Sequence, residues 1–166
     1  MTAQFSELLM LEGKQHSLCS YPLASYFALG GESVAFQASS TALSRGYVGT
    51  WEIHGQDQGQ GQGLVQRLYL IRLQGSLQDE SPVSLETVFP GYTERVFAHW
   101  FSGTLRLPQG QLLHYVHGGF GSCYEQDLLV DVTRGVVTAK RVRVNGFSDE
   151  ASAREGYRIH GMTTYQ

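Results

Sequence analysis

The sequence predicts a mainly β protein, an antiparallel and strongly twisted sheet, barrel- or sandwich-like, with two short helices packed against it. Three observations predict this class. Several segments alternate apolar and polar residues with a period of two. The chain carries 20 glycines against four prolines, together with eight Phe, nine Tyr and two Trp, a balance of turns and flat side chains that suits a β core. No helical pattern is long enough to act as a crossover between parallel strands, so local hairpins are expected.

The elements follow in chain order. "SELLML" and "KQHSLC" flank Glu12-Gly13 and predict an opening hairpin. "SYPLASYFALGG" predicts a helix with Ser20 as N-cap, Pro22 in the first turn and Gly30 or Gly31 as the stop. Its Leu23, Tyr26 and Phe27 form one apolar stripe. "YVGTWEI" (47–53) alternates Tyr47, Gly49, Trp51 and Ile53 with Val48, Thr50 and Glu52, the pattern of a half-buried strand. "HGQDQGQGQG" (54–63) reads as a long flexible hairpin tip leading into the strand "RLYLIRL" (67–73). "SPVSLETVFPG" predicts a second helix from Ser81 and Pro82 to Pro90-Gly91, with Leu85, Val88 and Phe89 as its stripe.

"FSGTLRL" (101–107) repeats the aromatic-x-Gly-Thr opening of "YVGTWEI" and reads as a strand. "PQGQ" then suggests a turn, and "QLLHYVH" the next strand. "YEQDLLVDVT" (124–133) and "VVTAKRVRV" (136–144) complete the set. One β-rich domain over 1–144 is expected, with 145–166 as a peripheral or partly disordered tail.

Charged residues make up 16% of the chain, and the net charge is −3 with a pI near 6. No global field favours nucleic acid or an anionic membrane. The one basic run, "KRVR" (140–143), splits between two faces if it is a strand. Cys19 and Cys123 stand far apart with no CxxC spacing. The amino terminus lacks a basic n-region, Glu7 interrupts its apolar run, and no stretch approaches the roughly 18 apolar residues of a span. A cytoplasmic location, no nucleic-acid or membrane partner and no cofactor are the expectations.

The chemically densest run is "HYVHGGFGSCYEQD" (114–127). His114 and His117 have a spacing that ligates metal on a helix, but in a strand they point to opposite faces, one buried and one exposed. Zinc needs three or four convergent ligands, so no metal site is assigned. "GGFGS" (118–122) matches neither phosphate signature; it offers at most a small nest of N–H groups and reads better as a wide hairpin turn. Cys123, Glu125 and Asp127 share a strand face, which reads as a solvated acidic row. Its catalytic version pairs Glu125 or Asp127 with His114 or His117 for acid–base work. A second candidate is a recognition set of Arg45, His99 and Trp100 gathered near Tyr47 at one end of a sheet. The competing reading makes Trp51 and Trp100 core residues.

"SRGYVGTWEI", "RLYLIRLQG", "RVFAHWFSGTLRLPQG" and "YEQDLLVDVTRG" together resemble a family of small uncharacterised bacterial proteins with no established function. The resemblance runs from the first hairpin to Gly135 and implies no activity, cofactor or catalytic residue. The expected function is therefore a small, soluble, non-catalytic binding or interaction protein of the bacterial cytosol, regulatory or immunity-type, with another protein as partner. The alternatives are a small hydrolase or lyase using His114 or His117 with Glu125 or Asp127, and a small-ligand-binding β module.

Overall fold

The computed structural model describes residues 2–57, 63–146 and 163–165. Its elements are β1 (Glu7–Leu11), β2 (Lys14–Leu18), α1 (Pro22–Ala28), β3 (Tyr47–Asp57), β4 (Leu64–Gly75), α2 (Leu85–Val88), β5 (Val96–Phe97), β6 (Gly103–His114), β7 (Cys123–Thr133), β8 (Val136–Val144) and β9 (Thr163–Tyr165). A single 3-10 turn, Thr41–Leu43, precedes β3. The protein is a mainly antiparallel sheet with two short helices, as the period-two alternation predicts. The strands run in the order β2-β1-β3-β4-β8-β7-β6, with β5 beside β4 and β9 beside β8.

The sheet curls on itself without closing into a barrel. On one side β4 meets β8 through the pair Arg67–Val136 and a 2.8 Å bond from Leu68 N to Gly135 O, after which β5 takes over the β4 edge at Tyr69 and Leu70. On the other side Cys19 N, just past β2, donates to Arg106 O of β6 at 2.9 Å. Ser20 Oγ accepts from Arg106 N at 3.1 Å across the same gap. The core is one cluster fed from both halves, with Leu9, Trp51, Leu68 and Leu70 against Leu105, Leu107 and Val130. At roughly 1.5–3 kcal/mol per fully buried aliphatic or aromatic side chain, this cluster is the main source of stability.

One pair departs from the expected hairpins: β3 lies parallel to β1, from Leu8–Thr50 to Leu11–Ile53. The chain between β2 and β3 makes this crossover in pieces, through α1, an extended stretch and the 3-10 turn. A single long helix is thus not required to reverse direction twice. The opening hairpin forms as expected, with positive φ at both Glu12 (52°) and Gly13 (76°), the geometry that suits a two-residue turn.

Other boundaries move for local reasons. Ser20 is held by β6, so it does not cap α1; Tyr21 occupies that position and makes no capping side-chain bond. α2 is only four residues, entered at Ser84, whose N–H donates to Thr87 Oγ1 at 3.0 Å. "PQGQ" is not a turn. β6 runs through it as one strand, with register shifts around Gly110 at φ 80°. Glu125 of β7 fills the space beside that glycine, where a Cβ would lie 2.9 Å from its own Cβ. This is a bulge rather than a reversal. β3 continues through 54–57, residues expected to be hairpin tip. The rest of that tip, 58–62, lies outside the described residues, as do 147–162 and 166 of the expected tail. Asn145 belongs to the body and is buried, and β9 pairs with β8 at Val142–Val144.

Candidate functional site

The run 114–127 spans the end of β6, a loop and the start of β7. Strand geometry ends at His114, so His114 and His117 are not held on opposite faces; both are exposed. The expectation of one buried histidine is overturned, because residues 115–122 leave the sheet. Tyr115 Oη and His117 Nδ1 are 3.0 Å apart, and Val116 N donates to Ser122 Oγ at 3.0 Å. The "GGFGS" loop presents carbonyls to its principal partner: Arg106 donates to Phe120 O at 2.7 Å and to Ser122 O at 2.8 Å. Gly119 N is spent on Thr2 O and Gly121 N on Gly118 O, so these amides do not form a nest for an anion.

Asp127 corrects the solvated acidic row. It is 0% exposed. β7 is a central strand, and arginines from both neighbours fold over its outer face. Arg106 Nε of β6 donates to Oδ1 at 2.9 Å. Arg143 Nη2 of β8, directly opposite in register, donates to Oδ2 at 2.6 Å. Asn145 Nδ2 adds a third bond, to Oδ2, at 3.0 Å. Asp131 repeats the scheme one step on, accepting from Thr104 Oγ1 at 2.6 Å and pairing with Arg141. The "KRVR" run is split as alternation predicts: Arg141 and Arg143 serve this ladder, while Lys140 Nζ approaches Glu12 at 3.7 Å. Glu125 accepts from Gln111 N at 2.9 Å.

Burial alone drives the Asp127 carboxyl upward, but the Asn145 bond and the two arginines together outweigh it and hold the group below the ordinary aspartate value. Its stabilisation is complete above that ordinary value and is lost as pH falls through the depressed folded one. On acidification from about pH 4 to about pH 2, the wild type is expected to lose stability more steeply than Asp127→Asn. Denaturant unfolding at each pH checks this, and parallel slopes would refute it.

A second buried acid was not assigned any role from the sequence. Glu7 shares the parity of Leu9 and Leu11 on β1 and so faces the interior, where it is also 0% exposed. Arg45 Nε donates to its Oε1 at 2.8 Å. Gly49 N and Trp51 Nε1 donate to Oε2 at 2.7 and 3.0 Å. Burial raises the Glu7 carboxyl above its ordinary value against the pull of Arg45, Trp51 and Gly49. Its contribution has the opposite sign to that of Asp127, being complete at low pH and lost as pH rises through the folded value. The Arg45 guanidinium carbon lies over two rings, 4.7 Å from the Tyr21 centroid and 5.6 Å from that of Tyr47. Burial pushes both phenols upward.

The expected set of Arg45, His99 and Trp100 does not gather as one patch. Arg45 is near Tyr47, as expected, but it stacks on tyrosines. Trp100 packs on the core, stacked on Phe89 and edge-on to Trp51, with its Nε1 donating to Pro22 O at 2.9 Å. His99 is exposed, edge-on to Trp100. Trp51, bonded to Glu7 and edge-on to Trp100, links Trp100 to the Arg45 cluster.

Cys19 and Cys123 are free thiols, and burial raises both above the ordinary thiol value. Among the described residues, no three His, Cys, Asp or Glu side chains converge as a metal set, and no helix is long and apolar enough to cross a membrane. Two surface cavities, of about 460 and 310 Å³, are lined around Leu73, Val83 and Thr93 and around Gln37, Leu43 and Ser76. Neither takes in His99, Trp100, His114, His117, Glu125, Asp127 or Arg45. What the fold and its polar clusters define is a curled β domain with interior arginine–carboxylate locks and an exposed loop at the β6–β7 end. No family model, curated protein or solved structure matches the chain.

Proposed function

We propose that the protein is a non-catalytic binding domain that meets a protein partner through the β6–β7 end. The observation that supports this most is the exposure of large apolar side chains there, Leu112 at 47% and Tyr115 at 56%, beside the exposed His114 and His117. Aromatic and aliphatic side chains flanked by polar ones are the composition of protein contact surfaces. The hydrolase or lyase reading has less support. A general base needs a free oxygen, and both oxygens of Asp127 are committed to Arg106, Arg143 and Asn145. A bacterial, cytosolic, regulatory or immunity-type role belongs to the same proposal.

Parallel affinity capture from source-organism lysate, with wild type and Leu112→Ser/Tyr115→Ala as baits, tests it. Both substitutions are on the surface and are expected to change stability by no more than about 0.5 kcal/mol each. A discrete protein recovered by the wild type and lost with the double variant supports the proposal. Equal recovery by both baits, or a partnerless wild type, refutes it.

A further inference from the structure

Arg45 carries a set of donors that nothing among the described residues uses. Its side chain is 11% exposed, and both terminal nitrogens are buried without a hydrogen-bond partner among those residues. A guanidinium has five N–H donors, all in its plane, so Nε accounts for one and the terminal pair for four. Glu7 does not complete the usual two-pronged pairing, because its second oxygen is taken by Gly49 N and Trp51 Nε1. Tyr21 and Tyr47 do not complete it either. Each sets a ring face, which carries no lone pair aimed at the cation, against the guanidinium carbon. Buried polar groups left in this state are costly, and they are rare in folded proteins.

The surroundings indicate what would satisfy that edge. Tyr47 is buried, whereas Tyr21 is half-buried, so solvent lies on the Tyr21 side of Arg45. Tyr21 sits at the non-helical start of α1, and its ring is 4.7 Å from that of Phe120 in the "GGFGS" loop. A group entering from solvent meets aromatic surface first and a planar cation behind it.

We infer that Arg45 anchors a site for the carboxylate of a small organic acid with an apolar body, admitted when the Tyr21 side chain swings aside. The flat carboxylate matches the paired terminal nitrogens, and the body takes the place of Tyr21 against Phe120. The site borders the β6–β7 loop at Phe120, but it does not rest on the protein contact proposed for Leu112 and Tyr115. Closed, Tyr21 shields Arg45; open, the two terminal nitrogens face the ligand.

The test titrates sodium benzoate and, separately, sodium phosphate at constant ionic strength into wild type, Tyr21→Ala and Arg45→Lys. The Arg45 side-chain and Trp51 indole N–H resonances are followed by NMR. Benzoate is expected to shift both saturably. Removing a lid that is shut most of the time should lower the benzoate midpoint roughly tenfold in Tyr21→Ala. Lysine loses the fork, so Arg45→Lys should raise the midpoint roughly tenfold or more. The Tyr21→Ala arm leaves the Glu7 pairing intact, so it stays informative even if Arg45→Lys fails to fold. No benzoate shift in Tyr21→Ala would overturn the site. An unchanged midpoint there would overturn the gating, and saturation by phosphate but not benzoate would overturn the carboxylate assignment.

Discussion

Replacing Asp127 with alanine is expected to destabilise the fold by about 3–5 kcal/mol, the usual cost of removing one partner from a buried charge cluster. Two guanidinium groups, from Arg106 and Arg143, would lose the carboxylate that they share. The loss extends beyond one ion pair. Arg106 also holds Phe120 O and Ser122 O, so the loop 115–122 depends on an arginine that Asp127 orients. For a chain of this size, the melting temperature should fall by roughly 10 °C. Asp127→Asn, which keeps the shape, should cost less. A melting point within about 2 °C of wild type for the alanine variant would show that the cluster is dispensable.

Gly49→Ala should cost about 3 kcal/mol, an unusual penalty for adding one methyl group. A Cβ at this position would lie 2.3 Å from Glu7 Oε2 and 2.8 Å from Trp51 Nε1. Neither atom can yield cheaply, because each is bonded to the other and both residues are fully buried. Either the carboxylate leaves Gly49 and Trp51, or β1 moves away from β3. The cause is specific enough for a double-mutant cycle with Glu7→Ala. Removing the carboxylate relieves the closer of the two clashes and leaves the contact with Trp51, so the two costs should fall short of additivity by about 1 kcal/mol or more in chemical denaturation. Strict additivity would mean that the clash has some other origin.

Much of the architecture was legible in the sequence because one rule governs it. Alternation located β3, β4, β7 and β8 closely, and placed Arg141 and Arg143 on the face opposite Lys140. It also contained the Glu7 signal, since that glutamate shares its parity with Leu9 and Leu11. The position was read only as an interruption of an apolar run. What alternation does not carry is which strand lies beside which. Asp127 looks like surface on an isolated β7, and it becomes interior because β6 and β8 each bring an arginine across it. The parallel β1–β3 pair was hidden for the same reason, since no local pattern announces a crossover made from short unlike pieces. "PQGQ" misled because a positive-φ glycine marks a bulge as readily as a turn. Only the carboxylate of Glu125, from another strand, decides between them.

The near-closure of the sheet has a consequence for how the molecule meets copies of itself. Open strand edges are templates on which chains aggregate, and proteins commonly hide or blunt them. Here the two ends of the strand path are turned toward each other, and Cys19 and Ser20 occupy the β6 edge at Arg106. Since Arg106 directs its backbone N–H and C=O outward to these partners, Pro108, two residues on, has the same outward orientation. It has no N–H to offer a foreign strand. Gly110 then bends the remainder of the edge out of register. The β6 edge is thus protected against strand-to-strand association without a completed barrel, through one main-chain contact, one proline and one bulge.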